Sequence, residues 1–308
     1  MRNSYLAALQ ELARNNDQIL ALVADNGAIV YDKFREELPN QFLNFGISEA
    51  NMVSMAAGLA SCGKIPFAYT IIPFLTMRAY EQVRNDVCLQ KQNVKLVGIG
   101  AGLAYSTLGP THHAIEDIAI MRVLPNMTIF SPASPIEARE ATLAAAKLEG
   151  PVYLRLGTTK EKEIFASDYE FEVGRGLTVQ DGKDITVVAT GSILADALKA
   201  VHQLNEQGIS ARLINIHTIK PLDREILIRA ARETGAILTV EEHNVMGGLG
   251  SAVAEVLMES QHSLTGFLRM GLQDQFCKGY GSHTQMKEIN GLSAKHIFKQ
   301  ALSLYQSK

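Results

Sequence analysis

The sequence predicts an α/β protein of two domains with mainly parallel sheets flanked by helices. Short β-rich apolar runs alternate with helical patterns along the chain. The runs lack polar alternation, as expected of strands buried on both faces. The rhythm then breaks at "GTTKEKEIFASDYEFEVGRG" (157–176), a charged stretch without a clear period, and restarts beyond it. Such a stretch reads as a linker.

The N-terminal "MRNSYLAALQELARNN" reads as an amphipathic helix with Leu6, Leu9, Leu12 and Ala13 on one face. Buried strands are expected at 19–25, 66–72, 94–100, 127–132 and 152–156. Helices fit near 49–62, 74–89, 114–123 and 135–148. This first domain spans 1–158, and the linker 159–176. The second domain, 177–308, begins with "ITVVAT" (185–190), a helix near 195–208, "ARLINIH" (211–217), a helix near 224–234 and "AILTVEEH" (236–243). "GGLGSAVAEVLMES" gives a Gly-rich turn into a helix, and "SAKHIFKQALSLYQ" reads as a terminal one.

Composition narrows the function classes. The 308 residues are 47% hydrophobic and 20% charged, as in a soluble globular protein. A net charge of −3 without a Lys/Arg cluster points away from nucleic acid and anionic membranes. No apolar run approaches the roughly 18 residues of a membrane span. Cys62, Cys88 and Cys277 are widely spaced and form no metal or redox motif. With no signal-peptide core, the cytoplasm is the expected compartment.

Three stretches carry candidate chemistry. "GISEANMVSMAAGLA" (46–60) places Ser48 at an N-cap and Glu49 in the first turn of a helix rich in small residues. By itself Glu49 is an ordinary first-turn acid favoured by the helix dipole. "PFLTMRAYEQVRND" (73–86) puts Phe74 just after a strand, where an aromatic can lie against a planar ligand or simply fill the core. "GPTHHAIED" (109–117) brings His112 and His113 to the mouth of the next helix, at the carboxyl side of a parallel strand. Adjacent histidines point in different directions, so they serve either a ligand or the helix cap rather than one metal. "GIGAGLA" (98–104) fails as a dinucleotide fingerprint, because Leu103 stands where the third glycine belongs.

Together these stretches resemble the C-terminal half of transketolase over nearly the whole chain. "FGISEANMVSMAAGLA" is similar to that family's Gly-x-x-Glu helix start, and "PFLTMRAYEQVRND" to its aromatic-then-Arg-Ala-aromatic-x-Gln stretch. "GPTHHAIEDIAIMRVLPNMTIFSPAS" is similar to its Gly-Pro-Thr-His segment, and "TIKPLDREILIRAARETGAILTVEEHNVMGGLGSAVAEVL" to its C-terminal domain. The resemblance implies a pyrimidine-binding domain followed by a transketolase C-terminal domain, with thiamin diphosphate at a subunit interface. It makes Glu49 the acid that hydrogen-bonds N1′ of the aminopyrimidine, favouring the imino tautomer whose N4′ activates the thiazolium C2. A dry, apolar pocket would help that carboxyl share a proton. Phe74 becomes the aromatic stacked on the pyrimidine, Ile47 a further cofactor contact, and His112 a polar group near the donor's reacting oxygens.

The family's Gly-Asp-Gly with a downstream Asn, which holds the diphosphate and its Mg²⁺ or Ca²⁺, is missing; "QDG" (180–182) sits where a turn is expected. A partner subunit of about 270 residues is therefore implied, giving a heterotetramer with two copies of each chain. The substrate positions also depart from the family. Thr158 stands where an Arg usually grips the sugar phosphate, while Arg155 aligns with a more internal arginine. Ile29 and Val30 replace a Ser or Thr phosphate contact, Leu108 replaces the acid before Gly-Pro, and Gly100 replaces a histidine. Losing an Arg–phosphate pair removes a bidentate contact, and Leu108 cannot satisfy a buried hydroxyl. An unusual sugar or keto acid follows, one without the ordinary terminal phosphate unless Lys160 supplies the charge. Rival readings are the β subunit of a 2-oxoacid dehydrogenase E1 component, half of a 1-deoxyxylulose-5-phosphate synthase, and a non-catalytic regulatory subunit of a thiamin enzyme.

Overall fold

The computed structural model describes residues 1–26, 28–158, 161–166, 169–260 and 264–308. The chain divides into two units. The first comprises Met1–Ala101 with Ile120–Phe171, and the second Gly102–Ala119 with Glu172–Lys308.

In the first unit, β1 (Ile19–Val23), β2 (Phe42–Asn44), β3 (Ile65–Ile71), β4 (Lys95–Ile99), β5 (Thr128–Phe130) and β6 (Val152–Leu156) run parallel in the order β5-β6-β4-β3-β1-β2. Every residue of β1, β4 and β6 is buried, which explains their lack of polar alternation; the charged exceptions, Lys95 and Arg155, are themselves buried. The chain leaves β1 for β2 on one side and then crosses to β3 on the other. That reversal is a topological switch point, where ligands bind beyond the strands' carboxyl ends.

Helix α1 (Arg2–Asn15) buries Tyr5, Ala8, Leu9 and Ala13, while Leu6 and Leu12 flank this stripe half-buried. The Tyr5 ring stacks on Tyr69 at 5.8 Å, and its hydroxyl shares a 3.1 Å hydrogen bond with that of Tyr31. Beyond α2 (Asp32–Glu37), helix α3 (Glu49–Ser61) buries Met52, Val53, Ala56 and Ala57. The helix expected over 74–89 is not regular. Two π-helical segments, Phe74–Arg78 and Val83–Cys88, flank the single turn α4 (Tyr80–Gln82). Wide turns of this kind gather at functional positions. After α5 (Asp117–Arg122), helix α6 (Pro135–Lys147) starts at a true cap, with Ser134 Oγ accepting from the Glu137 N–H at 3.3 Å. At its other end the buried Lys95 ammonium donates to the carbonyls of Leu148 (2.6 Å) and Gly150 (2.8 Å).

The second unit holds β7 (Leu177–Gln180), β8 (Ile185–Ala189), β9 (Ala211–Asn215), the short β10 (Thr218–Lys220), β11 (Ala236–Asn244) and β12 (Gly266–Leu272). Its sheet has the order β12-β11-β8-β9-β7, with only β7 antiparallel to its neighbour. Helices α7 (Leu194–Glu206), α8 (Arg224–Thr234), α9 (Leu249–Glu259), α10 (His283–Ile289) and α11 (Ala294–Gln306) complete it. Asp223 caps α8, and Gly235 ends it in the left-handed conformation at φ +70°. Gln180 ends β7, so "QDG" is a turn, with Asp181 bound to the Gly182 N–H and to Arg212. Among the described residues, no helix is long and apolar enough to cross a membrane.

Candidate active site

Glu49 opens α3 just after β2 and is 2% exposed. Ser48 occupies the N-cap position, but its hydroxyl turns back to donate to the Phe45 carbonyl at 2.7 Å, so it does not cap the helix. Phe74 follows β3 in the first π segment, and Arg78 lies four residues on. Arg78 Nη1 donates to Glu49 Oε2 at 2.8 Å, and its guanidinium sits 4.2 Å over the Phe74 ring centroid. Glu49 thus faces a cation rather than the apolar wall expected from sequence. The wide turn carries the half-exposed Arg78 side chain across Phe74 onto the carboxyl.

That guanidinium is a flat cation with an N–H edge. It uses its face on Phe74 and its edge on Glu49, the two contacts an aminopyrimidine protonated at N1′ would require. The pair therefore fits the pyrimidine end of thiamin diphosphate. Ile47, two residues before Glu49, is 76% exposed.

Gly100 and Thr158 lie just beyond the neighbouring strands β4 and β6. The Gly100 N–H, at φ +92°, donates to the Leu156 carbonyl at 2.9 Å. The Thr158 N–H and hydroxyl both donate to Glu161 Oε1, at 2.6 and 3.3 Å. Nothing in the sequence pattern singled out this acid. Arg155 is buried within β6. Ile29 is 84% exposed in the turn Ala28–Tyr31, which also carries Val30. Lys160 lies outside the described residues.

In the second unit, Gly102 and Ala114 exchange backbone hydrogen bonds of 2.9 and 3.0 Å and close a loop between them. Leu108 ends a 3-10 turn on this loop and is exposed; Gly109 follows at φ +78°. His112 is half-buried, edge-on to the Tyr105 ring (centroids 6.4 Å), with Nδ1 at 3.0 Å from Thr111 Oγ1. His113 is buried, and that burial lowers its pKa. Neither histidine enters a helix, because α5 begins only at Asp117. The loop is closed through its own backbone.

Glu242, near the end of β11, meets the root of this loop. The Leu103 N–H and His283 Nε2–H donate to its Oε1 at 2.5 and 2.6 Å. Burial alone would raise this carboxyl's pKa. The His283 ring, the Lys287 charge and the Leu103 N–H outweigh burial and hold it at about 2. Its neighbour Glu241 points to the opposite face and accepts from the Leu249 and Gly250 N–H groups at 2.7 and 2.8 Å, at the start of α9. Neither acid stands out by spacing or motif; "VEEH" at a strand exit is the one signal the sequence carries for them. Among the described residues, no group of three or more His, Cys, Asp or Glu side chains is placed to hold a metal ion.

The family model for the transketolase pyrimidine binding domain matches residues 1–161, and that for the transketolase C-terminal domain matches 174–297. The chain belongs to the transketolase family. This transketolase chain is 38% identical to the 6-deoxy-6-sulfo-D-fructose transketolase subunit SqwH of a Clostridium species, over 100% of its own length and 95% of that protein. It is 40% identical to one of the subunits of the apulose-4-phosphate transketolase of Phocaeicola vulgatus, over 98% and 96%. A solved structure described as a split gene transketolase, inactive beta4 tetramer, superposes with a TM-score of 0.89 at 43% identity. The match covers 99% of this chain and 98% of that one.

Proposed function

We propose that this chain is the C-terminal subunit of a two-subunit transketolase that moves a two-carbon ketol unit between sugars or related carbonyl compounds. The observation that carries this reading is the convergence of Glu49 and Phe74 on one flat cationic group. When bound, thiamin diphosphate would supply a nucleophilic carbon that accepts and passes on the ketol unit. Glu49 would hold the shared proton at the pyrimidine edge, Phe74 would stack on the ring, and Ile47 would cover it. His112 would bind the donor's oxygens. Residues 1–158 would form the pyrimidine-binding domain and 177–308 the C-terminal domain, joined by 159–176.

A partner carrying Gly-Asp-Gly and a downstream Asn would hold the diphosphate and its Mg²⁺ or Ca²⁺, in a cytoplasmic heterotetramer of carbohydrate metabolism. The full-length match to a structure described as an inactive tetramer of one chain supports that division of labour. Replacing Glu49 by Gln in the reconstituted complex should cost about 10²–10⁴ in kcat/KM, the usual worth of a proton-transfer group. An unchanged rate would make the chain a scaffold. Carbon dioxide release from pyruvate would instead favour the dehydrogenase or deoxyxylulose-phosphate synthase reading.

The substrate would be an unusual sugar or keto acid, one without the ordinary terminal phosphate unless Lys160 supplies the charge. Thr158 with its Glu161 partner, exposed Leu108, Gly100 in place of a histidine and the inward Arg155 all support this. The names of two relatives carry a sulfonated fructose and apulose 4-phosphate. Comparing kcat/KM on xylulose 5-phosphate and its dephosphorylated analogue tests it. A thousandfold or greater loss without the phosphate refutes it.

A further inference from the structure

We propose that Glu242 and His283 are positioning residues that hold the loop carrying His112 in its substrate-reading conformation. This rests on the reading of His112 as a donor-binding group. The loop between Gly102 and Ala114 has one backbone closure, and its outward part, with Leu108 and Thr111, is exposed. Its root is fixed from β11. Strand alternation turns Glu241 and His243 to one face and Glu242 to the other, toward Gly102 and Leu103. Glu242 is 1% exposed and Leu103 fully buried, so their hydrogen bond is shielded from water. Gly102 adopts φ +61°, and a Cβ there would lie 2.6 Å from the Glu242 side chain. The carboxyl therefore fits against bare backbone.

His283 approaches from the start of α10, behind the Ser282 capping box, and donates to the same Oε1. Lys287, one turn along, pairs with Asp196 and adds positive charge nearby. A buried carboxylate is costly, and an apolar side chain would stabilise a core at least as well. Its use here is geometric. It pins the N–H that begins the loop, nine residues before His112. The imidazole keeps the carboxylate charged and aimed, as supporting partners do for groups that touch a ligand.

The test is a double-mutant cycle in the complex reconstituted with the partner subunit, using Glu242→Gln, His112→Ala and the pair. Glu242→Gln should lower donor kcat/KM about 10- to 100-fold, while the thiamin diphosphate Kd measured by calorimetry stays within about twofold. In the His112→Ala background the same change should cost less than about threefold. Amide exchange across 103–113 in the chain alone should accelerate at least about tenfold, with β4 and β8 unaffected. His283→Gln, at a partly exposed position, should repeat the pattern more weakly. It carries the same cycle if Glu242→Gln fails to fold. Additive losses, or unchanged exchange across the loop, overturn the proposal. A harmless His112→Ala instead overturns the role given to His112, and the positioning role falls with it.

Discussion

Arg78 occupies the two contacts proposed for the pyrimidine, so under that proposal it would leave before the cofactor binds. The structure sets the size of that competition. The guanidinium 4.2 Å over Phe74 is half-exposed, which places its cation–π contact at about 0.5–1 kcal/mol. The 2.8 Å ion pair joins a carboxyl of 2% exposure to an arginine side chain of 48% exposure. Solvent at the arginine end holds its worth to about 0.5–1 kcal/mol. Together they amount to about 1–2 kcal/mol, or roughly a 5- to 30-fold reduction in the open fraction. Apparent affinity falls by the same factor. Arg78→Ala should therefore tighten thiamin diphosphate binding by about 5- to 30-fold, and Arg78→Lys, which keeps the charge without the flat face, by less. Calorimetric titration of the reconstituted complex with saturating Mg²⁺ reads this directly. A damaged fold would weaken binding, so the sign separates the explanations. Unchanged or weaker binding would show that the guanidinium stays beside the bound ring, refuting the competition.

Three further outcomes test the scaffold. His217 is buried, and that burial depresses its pKa to about 4, so the unfolded chain takes up a proton near pH 6.5 that the folded chain refuses. Its stabilisation is present above pH 6.5 and is lost as the pH falls toward 4. Urea unfolding should show about 2 kcal/mol lost to this group between pH 8 and 5, absent in His217→Gln. Lys95→Met removes the ammonium from the Leu148 and Gly150 carbonyls and should cost about 1–3 kcal/mol by the same measurement. Gly98→Ala would place a Cβ 2.5 Å from Ile72 Cγ1 and 3.1 Å from Tyr153 Cε2, both in the core. A cost of about 1–3 kcal/mol is expected, and a melting temperature equal to wild type would refute the close packing.

The long elements were legible in the sequence because each has a strong local cause. Mainly apolar runs without polar alternation made β1, β4 and β6, and Asp223 with Gly235 bounded α8. The three-residue β2 and the edge strands β7 and β12 were not anticipated, since their partly exposed side chains leave little pattern. The stretch 74–89 has helical periodicity, yet it widens into π turns around Phe74 and Val83, a choice made by packing. The loop with His112 resembled a helix entry only because a Gly-Pro turn preceded it.

The sequence by itself determined the two-domain α/β fold and the family, and it is the source of the acid and aromatic proposed to meet a thiamin ring. Those follow from periodicity and from short motifs in which neighbours along the chain carry the meaning. Only the tertiary structure decided that Arg78 lies between Glu49 and Phe74, that Glu161 shadows Thr158, and that Glu242 holds the root of the loop bearing His112. The last two acids act on groups 3 and 139 residues away along the chain. Whether a carboxylate reaches a given N–H depends on which strand face it leaves and which backbone is bare enough to approach. Spacing along a sequence does not encode that.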